Sequence, residues 1–285
     1  MQKFPESELI INKDGSVYHL SLQPRDIADT IITVGDPGRV HMVSSYFDRV
    51  DFEMNKREFI THTGTLKGKK ITVISTGMGT DNIEILMTEL DALVNIDLKK
   101  RQLKSRRKKL KIIRIGTSGA IQEDIPLGAH IRSDYGVGLD NLMNFYNLKY
   151  TEFEKKVAIE LKASAHLSFM PYCVQSSEKL GEQFSDGFLP GNTVTSPGFY
   201  APQGRKIRLS LRYPHLLDDL TFFHYNDFWL TNFEMETSAY YGLSRMLGHE
   251  MISLNAIVAN RVTGKYSKNP NRVVNSLIKK VIDIL

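Results

Sequence analysis

The stretch that most constrains this chain is residues 111–122, KIIRIGTSGAIQ. Ile112, Ile113 and Ile115 make a short β-branched run, which predicts a strand buried on both faces, as in a parallel sheet covered by helices. The run gives way to Gly116-Thr117-Ser118-Gly119, and the pattern predicts that the strand stops there in a glycine turn. Two glycines with hydroxyls between them let backbone N–H groups and side-chain donors converge on a small anion. Arg114 stands just ahead of the turn. Open α/β sheets place ligands beyond the carboxyl ends of their strands, so a ligand is expected at this point. An ordinary glycine turn beside a surface arginine fits the same residues, and the rest of the chain has to decide between them.

Two more stretches have the same form. Residues 31–34 predict a strand running into Gly35-Asp36-Pro37-Gly38-Arg39-Val40, followed by a helix with Val40, Val43 and Phe47 on one face. Helix N-terminal N–H groups and Arg39 would then face one anion, although an Asp-Pro-Gly turn also accounts for these residues. Residues 61–65 and 70–75 predict a hairpin around Lys67-Gly68-Lys69. Its second strand leads into Thr76-Gly77-Met78-Gly79-Thr80 and then a helix over 82–94 with Ile83, Leu86, Leu90 and Leu93 on one face. Further helices are predicted over 153–164, 233–247 and 271–285, and strands over 172–175, 192–195 and 251–259. Strands alternating with helices predict an α/β fold: a mixed, mostly parallel central sheet flanked by helices, in one domain over residues 1–285.

Charge narrows the function. The net charge is +5, but residues 99–111 alone hold nine basic side chains and no acidic one. Without those nine the balance turns from +5 to −4, so the basic character belongs to one insertion and not to the fold. The insertion has no aromatics to stack on bases, so a solvated loop is expected and a nucleic-acid partner is not. One cysteine, Cys173, excludes an intramolecular disulfide and a cysteine-based zinc site. No apolar run reaches bilayer length, and MQKFPESELI has no signal core, so a cytoplasmic protein without a membrane partner is expected.

The ordered set VGDPGRV (34–40), KREF (56–59), STGMGTDN (75–82), RIGTSGAI (114–121), FYAPQGR (199–205), NFEMETSA (232–239) and ANRV (259–262) resembles the nucleoside phosphorylase family, its uridine phosphorylases in particular. The resemblance implies a three-layer α/β/α sandwich with a distorted central barrel, assembled as a dimer-based hexamer. It implies phosphorolysis of uridine to uracil and ribose 1-phosphate, with phosphate as co-substrate and no cofactor. The alternatives are a purine nucleoside phosphorylase or nucleosidase, and, less expected, a nucleoside-binding protein without turnover.

By the same resemblance, Gly35, Arg39, Arg57, Arg114 and Thr117 hold phosphate, with Arg57 donated by a neighbouring subunit, and Ser118 lies beside them. Three guanidiniums suit a buried dianion. His19, Thr117, Glu234, Met235 and Glu236 match the ribose site, with Glu236 accepting from the 2′- and 3′-hydroxyls. Glu234 has a second reading, since Thr231-x-x-Glu234 fits a helix capping box. Phe199, Gln203 and Arg205 match the base site, where an amide and a fixed set of donors can read a pyrimidine edge. Arg114, Arg205 and Glu236 are the residues expected to carry catalysis. Purine-type relatives place an aspartate after the last core strand, where this chain has Val258-Ala259-Asn260-Arg261. Glu58 matches a monovalent-cation (K+) position found in some members, and no other metal is expected.

Overall fold

A computed structural model describes residues 3–285, and the chain divides into two units, Met1–Ile113 with Leu243–Glu250, and Arg114–Gly242 with Met251–Leu285. The first unit carries β1 (Thr30–Val34), α1 (Gly38–Ser44), β2 (Arg49–Lys56), β3 (Phe59–Leu66), β4 (Lys69–Ser75), α2 (Thr80–Asn95) and a two-stranded ribbon of β5 (Ile96–Asp97) and β6 (Gln102–Leu103). Its larger strands lie in the order β1-β4-β3-β2, with β1 parallel to β4 and the other pairs antiparallel. The expected hairpin is β3–β4, turning on Gly68 at φ 76°. The sequence reading passed over β2, although Val50, Phe52 and Met54 alternate there with Arg49, Asp51, Glu53 and Asn55, a period-2 signal. As an edge strand it is partly exposed on both faces, so no apolar run marks it.

The turn after β4 is the glycine turn predicted: Gly77 and Gly79 have φ of 70° and 99°, a region open to glycine and costly for other residues. Then α2 begins, and Ile83, Leu86, Leu90 and Leu93 are fully buried along it.

The basic segment is largely exposed, as its composition suggests, and part of it also caps a helix. Lys104 Nζ donates to the carbonyl of Val94 (2.9 Å), and Arg107 Nη1 to that of Asn95 (3.4 Å). The Asn95 side chain bridges both ways to the Lys108 backbone, and Lys108 Nζ pairs with Asp29 at 2.5 Å. Cations and donors thus cover the last carbonyls of α2, where orphan acceptors and the negative end of the helix dipole need them. Replacing residues 99–109 with a short Gly/Ser loop should therefore cost about 1–2 kcal/mol, seen as a lower unfolding midpoint in urea. Turnover per folded molecule should stay within about twofold, because surface insertions are tolerated. An unchanged midpoint would refute the capping role.

The second unit takes up the chain within β7 (Lys111–Ala120) and continues through β8 (His130–Gly138), α3 (Glu152–Ser164), β9 (Tyr172–Gln175), α4 (Glu178–Gln183), β10 (Leu189–Thr195), α5 (Leu216–Phe222), β11 (His224–Tyr225), β12 (Phe228–Trp229), β13 (Asn232–Glu234) and the first half of α6 (Thr237–Leu247); after Leu243–Glu250, which belong to the first unit, it resumes in β14 (Glu250–Asn260), β15 (Lys265–Tyr266) and α7 (Pro270–Ile284). Strands β14, β8, β10, β13 and β7 follow one another, and β7 pairs again with β14, so the five close into a barrel. Within it β8–β10 and β10–β13 are parallel, while β13–β7 and β14–β8 are antiparallel. This is the mixed α/β class expected. Val137, Val194 and Phe233 from the strands pack outward against Val157 and Leu161 of α3 and Leu216 and Leu220 of α5.

Two expectations fail here, each for a physical reason. The strand does not stop at Gly116: β7 continues to Ala120, with Gly119 opposite Phe233 and Ala120 opposite Asn232. Residues i and i+2 share a face of a strand, and Arg114 folds along β7 so that its guanidinium covers Gly116, where any Cβ would overlap it. The glycine is there for the arginine, not for a turn. The helix expected over 233–247 begins at Thr237, because residues 232–234 form β13 with Phe233 buried in the cluster above. Among the described residues, no helix is long and apolar enough to cross a membrane.

Candidate active site

Arg114 is 4% exposed and spends its guanidinium on the protein. Its Nη2 lies 2.6 Å from Glu236 Oε2 and 2.9 Å from Glu234 Oε2. Its Nη1 donates to Asn255 Oδ1 (2.8 Å) and Ser253 Oγ (3.2 Å). Burial by itself would lower its pKa, but Glu234 and Glu236 outweigh that and hold it above the ordinary arginine value. One cation facing two carboxylates leaves the cluster short of positive charge. A dianion placed here would need further cations. Thr117 is half-buried on the same strand, and Ser118 is buried and accepts from Asn232 Nδ2 at 2.9 Å.

Glu234 is placed by its backbone at the end of β13, and its carboxylate accepts from Thr195 Oγ1 (2.7 Å), Glu236 N (3.0 Å) and Thr237 N (3.0 Å). It therefore caps α6 from two and three residues ahead. The capping box suggested by Thr231 does not form, since the one proton of Thr231 Oγ1 is directed instead to the Asn192 carbonyl (3.0 Å) or Asn232 Oδ1 (2.7 Å). Glu236 is buried at the start of α6, and Met235 beside it is half-buried.

In the 199–205 loop, Gly204 turns at φ 69° and lets Arg205 fold back over the loop. Arg205 Nη1 donates to Gln203 Oε1 (2.5 Å) and to the Phe199 carbonyl (2.7 Å), and its guanidinium lies 3.8 Å from the Phe199 ring centroid, a cation–π contact. Gln203 is buried, so the bond to Arg205 fixes which way its amide faces. Arg261, which sequence reasoning missed as a site residue, donates from Nη1 to the Gln203 carbonyl at 3.0 Å. The only signal for it was an arginine standing beside the place of the missing aspartate. Burial, then the nearby charge of Arg261, pushes Arg205 down to about 10, so it remains cationic at neutral pH. Asn260 itself clamps backbone: its Nδ2 donates to the carbonyls of Gln122 (2.8 Å) and Ile125 (2.9 Å), and its Oδ1 accepts from Val262 N and Thr263 N.

The remaining predicted residues lie in the first unit. His19 Nδ1 meets Glu89 Oε1 at 2.7 Å, and the backbone N–H groups of His19 and Leu20 donate to the same carboxylate. Gly35 follows β1, where a Cβ would sit 3.5 Å from the Gly77 carbonyl. The expected helix-terminus site is weakened, because α1 has seven residues and Asp36 Oδ1 already takes the Gly38 N–H at 2.9 Å. Arg39 lies in the first turn of α1. Arg57 is exposed between β2 and β3 with φ 54°, and the half-buried Glu58 stem backs Gly77.

The family model described as "Phosphorylase superfamily" matches residues 29–283. The chain belongs to that superfamily. Among its relatives is a uridine phosphorylase of Thermococcus kodakarensis, 30% identical over 100% of this chain and 92% of that one. A DeoD-type purine nucleoside phosphorylase of Colwellia psychrerythraea is 26% identical over 89% of this chain and 92% of its own. Among solved structures, a Trypanosoma brucei nucleoside phosphorylase described as showing uridine phosphorylase activity superposes with TM-score 0.88 and 30% identity, covering 97% of this chain and 98% of that one. In this superfamily member the second unit brings together Arg114, Glu234 and Glu236 as one cluster, and Phe199, Gln203, Arg205 and Arg261 as another. His19, Gly35, Arg39, Arg57 and Glu58 belong to the first unit.

Proposed function

We propose that this enzyme transfers the pentose of a pyrimidine nucleoside to inorganic phosphate, converting uridine and phosphate into uracil and ribose 1-phosphate. The observation that carries the reading is the base loop: a buried Gln203 amide oriented by Arg205 and anchored by Arg261, with no carboxylic acid at Asn260 to protonate a purine. In phosphorolysis the C1′–N1 bond breaks with its electron pair going to the base, and a phosphate oxygen bonds to C1′. The charge reaching uracil spreads onto O2 and O4. N–H donors from Gln203 and Arg205 aimed at those oxygens favour the transition state over bound uridine, and the released anion then takes a proton from water. Uridine phosphorylases among the relatives support this assignment, while the purine-type relatives define the rival outcome.

In this reading Arg39, Arg57 and the Gly35 backbone supply the positive charge that Arg114 cannot, with the Thr117 hydroxyl as a further donor. Glu236 accepts from the ribose hydroxyls, Met235 packs on the sugar, and His19 reaches its 5′ end. His19 and Arg57 act across a subunit boundary, so the enzyme works as a homo-oligomer. Arg57→Ala and Arg205→Ala variants, each strongly impaired, should regain activity when subunits exchange, since mixed assemblies hold some intact sites. No recovery after demonstrated exchange would count against a shared site. For the reaction itself, ribose 1-phosphate should form in step with uracil and with phosphate consumed. Free ribose formed without phosphate would make the enzyme a hydrolase.

A further inference from the structure

The barrel interior holds a chain of polar side chains, at least one from each of its five strands. Arg114 on β7 donates to Asn255 Oδ1 on β14 (2.8 Å), and Asn255 Nδ2 donates to Ser133 Oγ on β8 (3.0 Å). Ser133 Oγ lies 2.6 Å from Thr193 Oγ1 on β10, Thr193 Oγ1 donates to Asn232 Oδ1 on β13 (3.0 Å), and Asn232 Nδ2 donates to Ser118 Oγ, back on β7 (2.9 Å). Asn255, Ser133, Thr193 and Asn232 are all 0% exposed. Because Thr193 gives its proton to Asn232, Ser133 must be the donor to Thr193. Every bond then runs the same way, from the guanidinium to Ser118, and such chains reinforce one another. The Ser118 proton is the last donor, beside Thr117.

Small barrels are ordinarily filled by apolar side chains, and a buried polar network is no more stable than well-packed hydrocarbon. What this one does is aim groups. A reversed Asn255 amide would turn two N–H donors on the Arg114 guanidinium; Ser133, with its own proton given to Thr193, opposes that reversal as an acceptor for Nδ2, and Ser253 Oγ is a second acceptor at 3.3 Å. We propose that Asn255, held by Ser133, is a positioning residue for Arg114: it fixes one edge of the guanidinium so that Arg114 is set for an oxyanion such as phosphate. The inference rests on the assignment of Arg114 to the phosphate site.

Two variants and two readouts test it: steady-state KM for each substrate, and calorimetric binding of inorganic phosphate to the intact protein without nucleoside. Asn255→Leu removes the amide's bonds to Arg114, Ser133 and Ser253. Ser133→Ala touches neither Arg114 nor its carboxylates and keeps the test alive if Asn255→Leu does not fold. Asn255→Leu should raise the phosphate KM about tenfold or more, and Ser133→Ala about threefold, with the uridine KM within about twofold and phosphate affinity falling in parallel. Equal shifts in both KM values, or a lower melting temperature with phosphate KM and affinity unchanged, would leave Asn255 and Ser133 as packing and overturn the proposal. If the wild type binds no phosphate at all, the assignment of Arg114 is wrong and the proposal falls with it.

Discussion

Gly116→Ala should destabilise this protein by about 3–5 kcal/mol, the cost of parting a buried ion pair. A Cβ at that position would stand 2.5 Å from Cζ and 2.8 Å from Nη2 of Arg114, closer than real Cβ contacts come. Arg114 is buried, and moving it would leave Glu234 and Glu236 buried without their cation. Gly119→Ala, three residues along the same strand, is the control: its Cβ would meet the flexible stem of Arg261 at 3.4 Å and the Ala259 methyl at an ordinary contact of 3.8 Å, and a cost below about 1 kcal/mol is expected. Urea unfolding of both variants decides the matter. Equal costs would mean that the glycines serve backbone freedom and that Arg114 is not held as described. Activity of any folded Gly116→Ala should fall by at least about a hundredfold, since the displaced group is the one assigned to phosphate.

Arg205→Ala should lower kcat/KM for uridine by about one to two orders of magnitude. A hydrogen bond to a charged group is worth about 1.5–3 kcal/mol, and each 1.4 kcal/mol or so is tenfold in rate. The side chain also orients the Gln203 amide and covers Phe199, so its loss frees a second recognition group. Because negative charge on the base builds only as the C1′–N1 bond breaks, most of the loss should fall on kcat rather than on the uridine KM. Arg205→Lys should not restore the rate, since an ammonium cannot serve the Gln203 amide, the Phe199 carbonyl and the base with one planar fork. Wild-type turnover by Arg205→Ala would end the base assignment and leave the phosphate and ribose assignments standing.

Where local pattern and tertiary structure agree, the chain was readable in advance. The Gly77 and Gly79 turn, the apolar face of α2 and the β3–β4 hairpin follow from positive-φ glycines and periodicity alone. The errors have one origin, residues whose role is fixed by a distant partner. Gly116 looked like a turn because nothing local shows that Arg114 will lie over it. Glu234 looked like part of a capping box with Thr231, because strand β13 is only three residues long and its pairing with β7 is invisible in sequence. The capping contacts of Lys104 and Arg107 were not legible because the carbonyls they meet belong to the end of a helix several residues back. The polar chain inside the barrel escaped for the same reason: Ser133, Thr193, Asn232 and Asn255 lie far apart in sequence, and each alone reads as an unremarkable strand residue.

The central claim is that this enzyme phosphorolyses uridine, and the most direct measurement is the initial rate of base release from uridine and from inosine, each with and without inorganic phosphate. Uracil release should require phosphate, with kcat/KM for uridine well above that for inosine, because Asn260 stands where an acid would protonate a purine leaving group. Faster cleavage of inosine than of uridine, or uracil release that proceeds equally well without phosphate, would contradict it.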